Sequence, residues 1–236
     1  FCYNSGTKMK YSLTVIIPAY NEEATISTVL KKVMANKLVT EIIVVNDGST
    51  DRTSHRIQGT GHRKIKIIDK IKNEGKGAAI RDALKIAKGN IFIIQDADLE
   101  YDPQEYAKLI KPILENKADV VFGSRFMGSD AHRVLYFWHM LGNQFLTLVT
   151  NILTNLNLTD METCYKIFTK DVAKKLNLKE NRFGFEPEFS IKVAKMNARI
   201  YEVGISYSGR SYAEGKKITW KDGLVTLWCL FKYSIS

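Results

Sequence analysis

Cysteine is scarce in this chain, long apolar runs are missing, and neither end carries a block of like charge. Three cysteines occur in 236 residues, Cys2, Cys164 and Cys229. An odd number at distant positions, with no C-x-x-C pair, excludes a disulfide-stapled miniprotein and points to a reducing compartment without a structural disulfide. No stretch reads as a transmembrane span or a cleavable signal peptide, because even the longest charge-free segment is interrupted by amides and hydroxyls. Neither G-x-G-x-x-G nor G-x-x-x-x-G-K-[ST] occurs, so the usual dinucleotide and P-loop phosphate cradles are absent. Glu74-Gly75-Lys76-Gly77 is the nearest approach to such a cradle, and Gly77 stands where a Walker motif needs Ser or Thr, which speaks against a kinase or ATPase. The histidines, His55, His62, His132 and His139, form no H-E-x-x-H and have no cysteine companion, so no zinc site is expected. Internal repeats and low-complexity linkers are missing as well.

What is present is ordinary for a folded domain. Apolar residues make up 45% and charged residues 25%, in a chain long enough to bury a full hydrophobic core. The net charge of +10 is spread along the sequence and implies an anionic partner: nucleic acid, an anionic lipid surface or a phosphorylated substrate. Residues 1–8 lack periodicity and read as an upstream remnant before Met9, leaving 9–236 as a single domain.

Short Val/Ile-rich runs at residues 13–18, 41–46, 65–69, 90–95 and 119–123 predict strands covered on both faces. Helical patterns at 22–36, 49–57, 76–88 and 103–116 lie between them, the last opened by Asp102 as cap and Pro103 at the first position. This alternation predicts an α/β fold with a mostly parallel, doubly wound sheet over residues 10–125 and helices on both faces. Right-handed crossovers then bring the loops after the strands to one edge, where such sheets bind ligands.

The sequence is most distinctive at those strand ends: Pro18-Ala19-Tyr20-Asn21-Glu22 after the first, Asn46-Asp47-Gly48-Ser49-Thr50-Asp51 after the second, Asp96-Ala97-Asp98-Leu99-Glu100 after the fourth. Alternate residues of an extended chain point the same way, so Asp96, Asp98 and Glu100 converge from one side. Hard carboxylate oxygens in that arrangement suit Mg2+ or Mn2+ holding a diphosphate, although acids at a strand–helix junction also serve as simple helix caps. An EF-hand does not fit, since Tyr101 stands where its glycine is required.

Residues 134–159 contain no Asp, Glu, Lys or Arg, and Leu135, Trp138, Leu141, Phe145, Leu148, Ile152 and Leu156 recur every three or four positions. A second apolar stripe holds Trp220, Leu224, Leu227, Trp228 and Phe231. A buried helix pair would show the same spacing. Aromatic crowding at Tyr136-Phe137-Trp138 and the pairing of two such segments favour helices lying on a bilayer, over 133–158 and 219–234.

The P-A-Y-N-E, N-D-G-S-T-D and D-A-D motifs together resemble glycosyltransferase family 2, with its nucleotide-sugar-binding GT-A fold. Gly123-Ser124-Arg125, the run Thr159-Asp160-Met161-Glu162-Thr163-Cys164-Tyr165-Lys166, Phe183-Gly184-Phe185-Glu186-Pro187-Glu188 and the stretch from Gly209-Arg210 to Lys217 are similar to the branch that makes polyprenyl-phosphate sugars. The resemblance runs over about residues 13–233. It implies that Pro18, Tyr20 and Glu22 line the nucleoside site, that Asp47 hydrogen-bonds the base, and that Lys76 and Arg81 lie near the same pocket. It also implies that Asp96 and Asp98 form the D-x-D motif, with Asp98 the surest ligand of Mg2+ or Mn2+. Glu100 stands where dolichyl-phosphate mannose synthases tend to have Gln, which adds a negative charge and leaves open whether it meets the ion directly or through water.

Inverting members that act on hydroxyls need a carboxylate base, commonly in an E-D dipeptide, and none occurs here. A phosphate acceptor accounts for that, because a phosphomonoester with a second pKa of about 6 is already ionised at neutral pH. Arg125, Arg133 and Arg210, aided by Lys217, are expected to bind that phosphate, with Arg210 in a loop that closes over substrate. The expectation is a cytoplasmic, membrane-peripheral hexosyltransferase working from a UDP- or GDP-hexose to a polyprenyl phosphate, with no nucleic-acid partner and the oligomeric state open. Two other readings are a family 2 enzyme acting on a glycan hydroxyl and a basic nucleic-acid-binding module; the latter leaves the acidic triplet without purpose.

Overall fold

A computed structural model describes residues 11–128, 133, 134, 136–211 and 220–235. The five Val/Ile runs become β1 (Leu13–Ala19), β2 (Val39–Asn46), β3 (Ile65–Asp69), β4 (Ile91–Ile94) and β5 (Val120–Ser124). Successive residues such as Ile16 and Ile17 on β1, and Val44 and Val45 on β2, are fully buried, so both faces of these strands are covered. Two strands that the periodicity does not reveal complete the sheet, β6 (Lys166–Thr169) and β7 (Ile200–Gly204). Among the described residues the order is β3-β2-β1-β4-β6-β5-β7.

Pairing is parallel for β1 with β2, β2 with β3, β1 with β4 and β5 with β7. β6 runs antiparallel to both β4 and β5. The expected parallel sheet over 10–125 is therefore corrected at one place: β5 does not hydrogen-bond to β4, because a strand from later in the chain lies between them. That insertion has a functional result. Since β6 starts at the edge where β4 ends, the segment before it, residues 160–165, is delivered beside the acidic loop. The whole is the GT-A, Rossmann-like architecture.

Three helices begin later than their patterns suggest. α1 (Ile26–Ala35) and α2 (Thr53–Gln58) each start four residues into the expected helix. Polar side chains hold the preceding loops in other conformations: Asn21 is left-handed (φ 52°), Thr50 N donates to Asn21 Oδ1 at 2.8 Å, and Thr53 N donates to Asp51 Oδ1 at 2.9 Å. α3 (Lys76–Ile86) begins where expected. Asp102 accepts from Gln104 N at 3.1 Å and opens a 3-10 turn at Pro103–Glu105 before α4 (Tyr106–Leu114).

The remaining helices are α5 (Phe137–Thr154), α6 (Lys170–Lys175), α7 (Phe185–Lys195) and α8 (Trp220–Ile235). α5, α7 and α8 share a second apolar cluster built on Met161, Ile191, Cys229, Leu230 and Tyr233, with Leu146, Val149 and Leu153 against it. Their opposite faces are not buried as a core pair would be. Trp138 is 76% exposed, Ile152 70% and Trp228 67%, with Phe137, Phe145, Leu148, Leu224 and Phe231 exposed beside them. No helix among the described residues is long and apolar enough to cross a membrane.

Candidate active site

The C-terminal ends of β1, β2 and β4 meet at one edge of the sheet, and their loops are tied to one another. Glu22 N donates to Thr53 Oγ1 at 2.8 Å, Asn21 N to Ser49 Oγ at 3.0 Å, and Thr25 Oγ1 to Ala97 O at 2.9 Å. Pro18 is the last residue but one of β1, and Tyr20, just past its end, is 37% exposed. Asp47 is buried and accepts from the backbone of Glu74 and Gly75, the latter at 2.6 Å, while Lys70 lies 3.3 Å from it. The carboxylate thereby fixes the turn into α3, where Gly75 takes φ 103° and an added Cβ would strike Asn181 backbone. Arg81 points to Glu180 O (2.7 Å) and Asn181 Oδ1, which puts it on the flank of this edge.

The acidic loop after β4 converges as its spacing suggests, around a cation from far along the chain. Arg210 lies 2.8 Å from Asp98, 3.4 Å from Glu100 and 3.3 Å from Glu22. Its backbone N–H also donates to Glu100 Oε1 at 2.7 Å, and Tyr207 Oη donates to Glu100 Oε2 at 2.9 Å. Three carboxylates thus surround one guanidinium. Burial, then the charges of Asp96 and Glu100, push the Asp98 carboxyl well above the usual carboxylate range despite Arg210. For Asp96 burial acts in the same upward direction, but the neighbouring Lys76 ammonium outweighs it and holds the carboxyl below its ordinary value.

This set is rich in hard oxygen donors and short of positive charge, which is the chemistry that suits Mg2+ or Mn2+. Among the described residues no three acidic, His or Cys side chains are grouped as a ready cage, because Arg210 lies between Glu22, Asp98 and Glu100. For Asp98 and Glu100 to hold such an ion Arg210 has to move off them, and for Asp96 to join them it has to give up Lys76.

Residues with no motif of their own at the strand ends complete the site. Lys76 Nζ bridges Asp96 (2.9 Å) and Glu186 (3.0 Å), so the start of α7 is joined to the acidic loop. Glu186 Oε2, Glu162 Oε1 and Thr163 Oγ1 are buried without a hydrogen-bond partner among the described residues. Burial, then the charge of Glu186, push the Glu162 carboxyl up to about 7. Lys166 donates to Met161 O and Thr163 O and shapes the turn that presents Glu162. The Asp160 to Lys166 motif was legible as a family feature, but the burial of its acids is not visible in spacing.

The expected phosphate-binding cations divide. Arg125 lies at the sheet edge, but its Nε and Nη2 both donate to buried Asp160 at 2.7 Å, so its fork is engaged inside the protein instead of facing a phosphate. Arg133 is exposed and donates to Gly209 O at 3.1 Å, beside Arg210. Lys217 lies outside the described residues, as does Leu135.

A sheet of this topology with an acidic D-x-D loop at its C-terminal edge has the GT-A form of a glycosyltransferase. Residues 14–176 match the model for Glycosyl transferase family 2, and the chain belongs to that family and is a glycosyltransferase. An uncharacterized protein of Methanocaldococcus jannaschii is 31% identical, over 89% of this chain and 87% of its own length. A dolichol-phosphate mannosyltransferase of Pyrococcus furiosus is 29% identical over 87% of this chain, which spans 60% of that longer protein. A dolichyl-phosphate beta-glucosyltransferase of Trichomonas vaginalis is 28% identical over 85% of this chain and 67% of its own. Among solved structures, glucosyl-3-phosphoglycerate synthase of Mycobacterium tuberculosis with Mn2+ and UDP-glucose superposes with a TM-score of 0.77 at 20% identity, covering 96% of this chain and 80% of that one.

Proposed function

We propose that this glycosyltransferase moves a hexose from a nucleotide diphosphate sugar to a polyprenyl monophosphate, with inversion at the anomeric carbon. The observation that carries the reading is the acidic loop at the sheet edge with Arg210 among its carboxylates and Arg133 close by, next to helices that expose an apolar stripe. The relatives that act on dolichyl phosphate support the same acceptor class.

In this reading Pro18, Tyr20, Glu22 and Asp47 form the nucleoside end of the site, with Lys76 and Arg81 behind them. Mg2+ or Mn2+, held by Asp96, Asp98 and Glu100, would offset the diphosphate charge as the nucleotide leaves. Arg210 and Arg133, with Lys217, take the acceptor phosphate in charge-assisted hydrogen bonds, and a pre-ionised phosphate oxygen attacks without a protein base. Arg125, fixed on Asp160, positions the ring of Tyr207 beneath Glu100 by stacking 5.2 Å from its centroid. The domain works as one unit over residues 9–236, cytoplasmic and applied to the membrane surface through α5 and α8.

Thermal-shift titration with UDP and GDP, each with and without Mn2+, tests the donor half of the proposal. One nucleoside diphosphate should raise Tm only in the presence of the metal, since binding to the folded state stabilises it by mass action. No shift with either would remove the nucleotide-sugar reading.

A further inference from the structure

A cavity of about 620 Å3 lies between the loop before α3, the segment before α7, and α8. Its walls carry Lys72, Lys179, Arg182 and Lys232 against only two acids, Glu74 and Glu180. Both acids are engaged within the protein: Glu74 pairs with Lys70, and Glu180 accepts from Lys232 Nζ at 2.7 Å and Tyr233 Oη at 2.8 Å. Lys72, Lys179 and Arg182 are exposed and form no ion pair among the described residues. The walls therefore keep a net positive charge of two, four cations against two acids.

Its position relative to α8 indicates what fills it. At 100° per residue, buried Thr226, Cys229, Leu230 and Tyr233 form the inner face of that helix, and exposed Leu224, Trp228, Phe231 and Ile235 form the opposite one. Val225 and Lys232, which line the cleft, lie on the flank between the two. A helix laid on a bilayer by its outer stripe brings that flank to headgroup depth. Charge complementarity then selects an anionic surface.

We propose that this cleft receives anionic phospholipid headgroups and so recruits the enzyme to negatively charged membrane, an inference that rests on the membrane-surface reading of α5 and α8. The apolar stripe supplies insertion without headgroup preference. The cleft supplies the preference, and holds the active-site edge toward the leaflet.

Flotation with vesicles of pure phosphatidylcholine and of phosphatidylcholine with phosphatidylglycerol tests this on the full chain. Wild type should bind the mixed vesicles strongly and in a salt-sensitive manner, and the neutral ones weakly. A Lys72→Gln, Lys179→Gln, Arg182→Gln variant, checked for an unchanged melting curve, should lose on the order of a hundredfold in partition to the anionic vesicles, given about 1 kcal/mol per basic residue at such a surface. Its binding to neutral vesicles should be unchanged. Equal binding of wild type to both vesicle types, or no loss in the variant, overturns the headgroup cleft while leaving membrane attachment intact. Absence of binding to either vesicle overturns both. A variant that binds vesicles normally but raises the KM for polyprenyl phosphate in neutral detergent assigns the cleft to the acceptor instead.

Discussion

Truncating Arg125 to alanine should cost the protein more in stability than any other single change at the site edge. Asp160 is fully buried and receives both Nε and Nη2 of Arg125 at 2.7 Å, with Arg125 N at 3.0 Å as a third donor. Removing the guanidinium leaves a desolvated carboxylate with one backbone donor from that residue, a loss of about 3–5 kcal/mol. It also removes cation contacts over the Phe126 and Tyr207 rings, at 5.7 and 5.2 Å from their centroids. For a chain of this size each kcal/mol moves Tm by about 2–4 °C, so the drop is on the order of 6–20 °C. Urea and thermal melts of the ligand-free protein read it directly. Arg125→Lys should fall between, keeping the charge but losing the two-pronged geometry. If Arg125→Ala melts within about 2 °C of wild type yet loses transferase activity, the pairing argument fails and Arg125 acts on substrate.

Three other outcomes follow from the same geometry. Asp98→Ala should lower turnover by at least about a hundredfold with an unchanged melting curve, and activity surviving in chelator-treated variant protein would contradict the metal assignment. Arg210→Lys should raise the apparent KM for polyprenyl phosphate or lower kcat while nucleotide affinity stays nearly constant; loss of nucleotide binding would place Arg210 on the donor diphosphate. Glu162 has a folded-state pKa raised to about 7 from an ordinary 4.5, so the folded chain holds its proton more tightly than the unfolded one. Its contribution to stability is thus greatest below about pH 4.5 and declines as pH rises through about 7, and Glu162→Gln should flatten that decline in pH-dependent denaturation curves.

The first half of the fold was readable because continuous Val/Ile runs between helical patterns admit few other solutions. β6 was not, since its four residues begin with Lys166, a side chain that reads as solvent-facing yet is fully buried on Met161 and Thr163 carbonyls. The late starts of α1 and α2 were hidden for a related reason: the side chains of Asn21 and Ser49 accept from backbone donors 29 and 28 residues away in sequence, and that of Asp51 accepts from Thr53 N two residues on. At the site, convergence of Asp96, Asp98 and Glu100 followed from strand alternation alone. The placing of Arg210 among them did not, because a contact spanning over a hundred positions leaves no local trace. Arg125 illustrates the opposite case. Its position at the end of β5 was legible, while its engagement by Asp160 depends on the antiparallel strand that the pattern missed.

Transfer itself is the most direct test of the central claim. Purified protein incubated with Mn2+, polyprenyl phosphate in detergent, and radiolabelled UDP-glucose, GDP-mannose or UDP-N-acetylglucosamine in parallel should move label from one of them into the organic phase. The product should be a sugar phosphodiester, and Asp98→Ala should give none. Label that remains wholly in the aqueous phase with every donor, or that appears only as free sugar or on a soluble hydroxyl acceptor, would contradict the account.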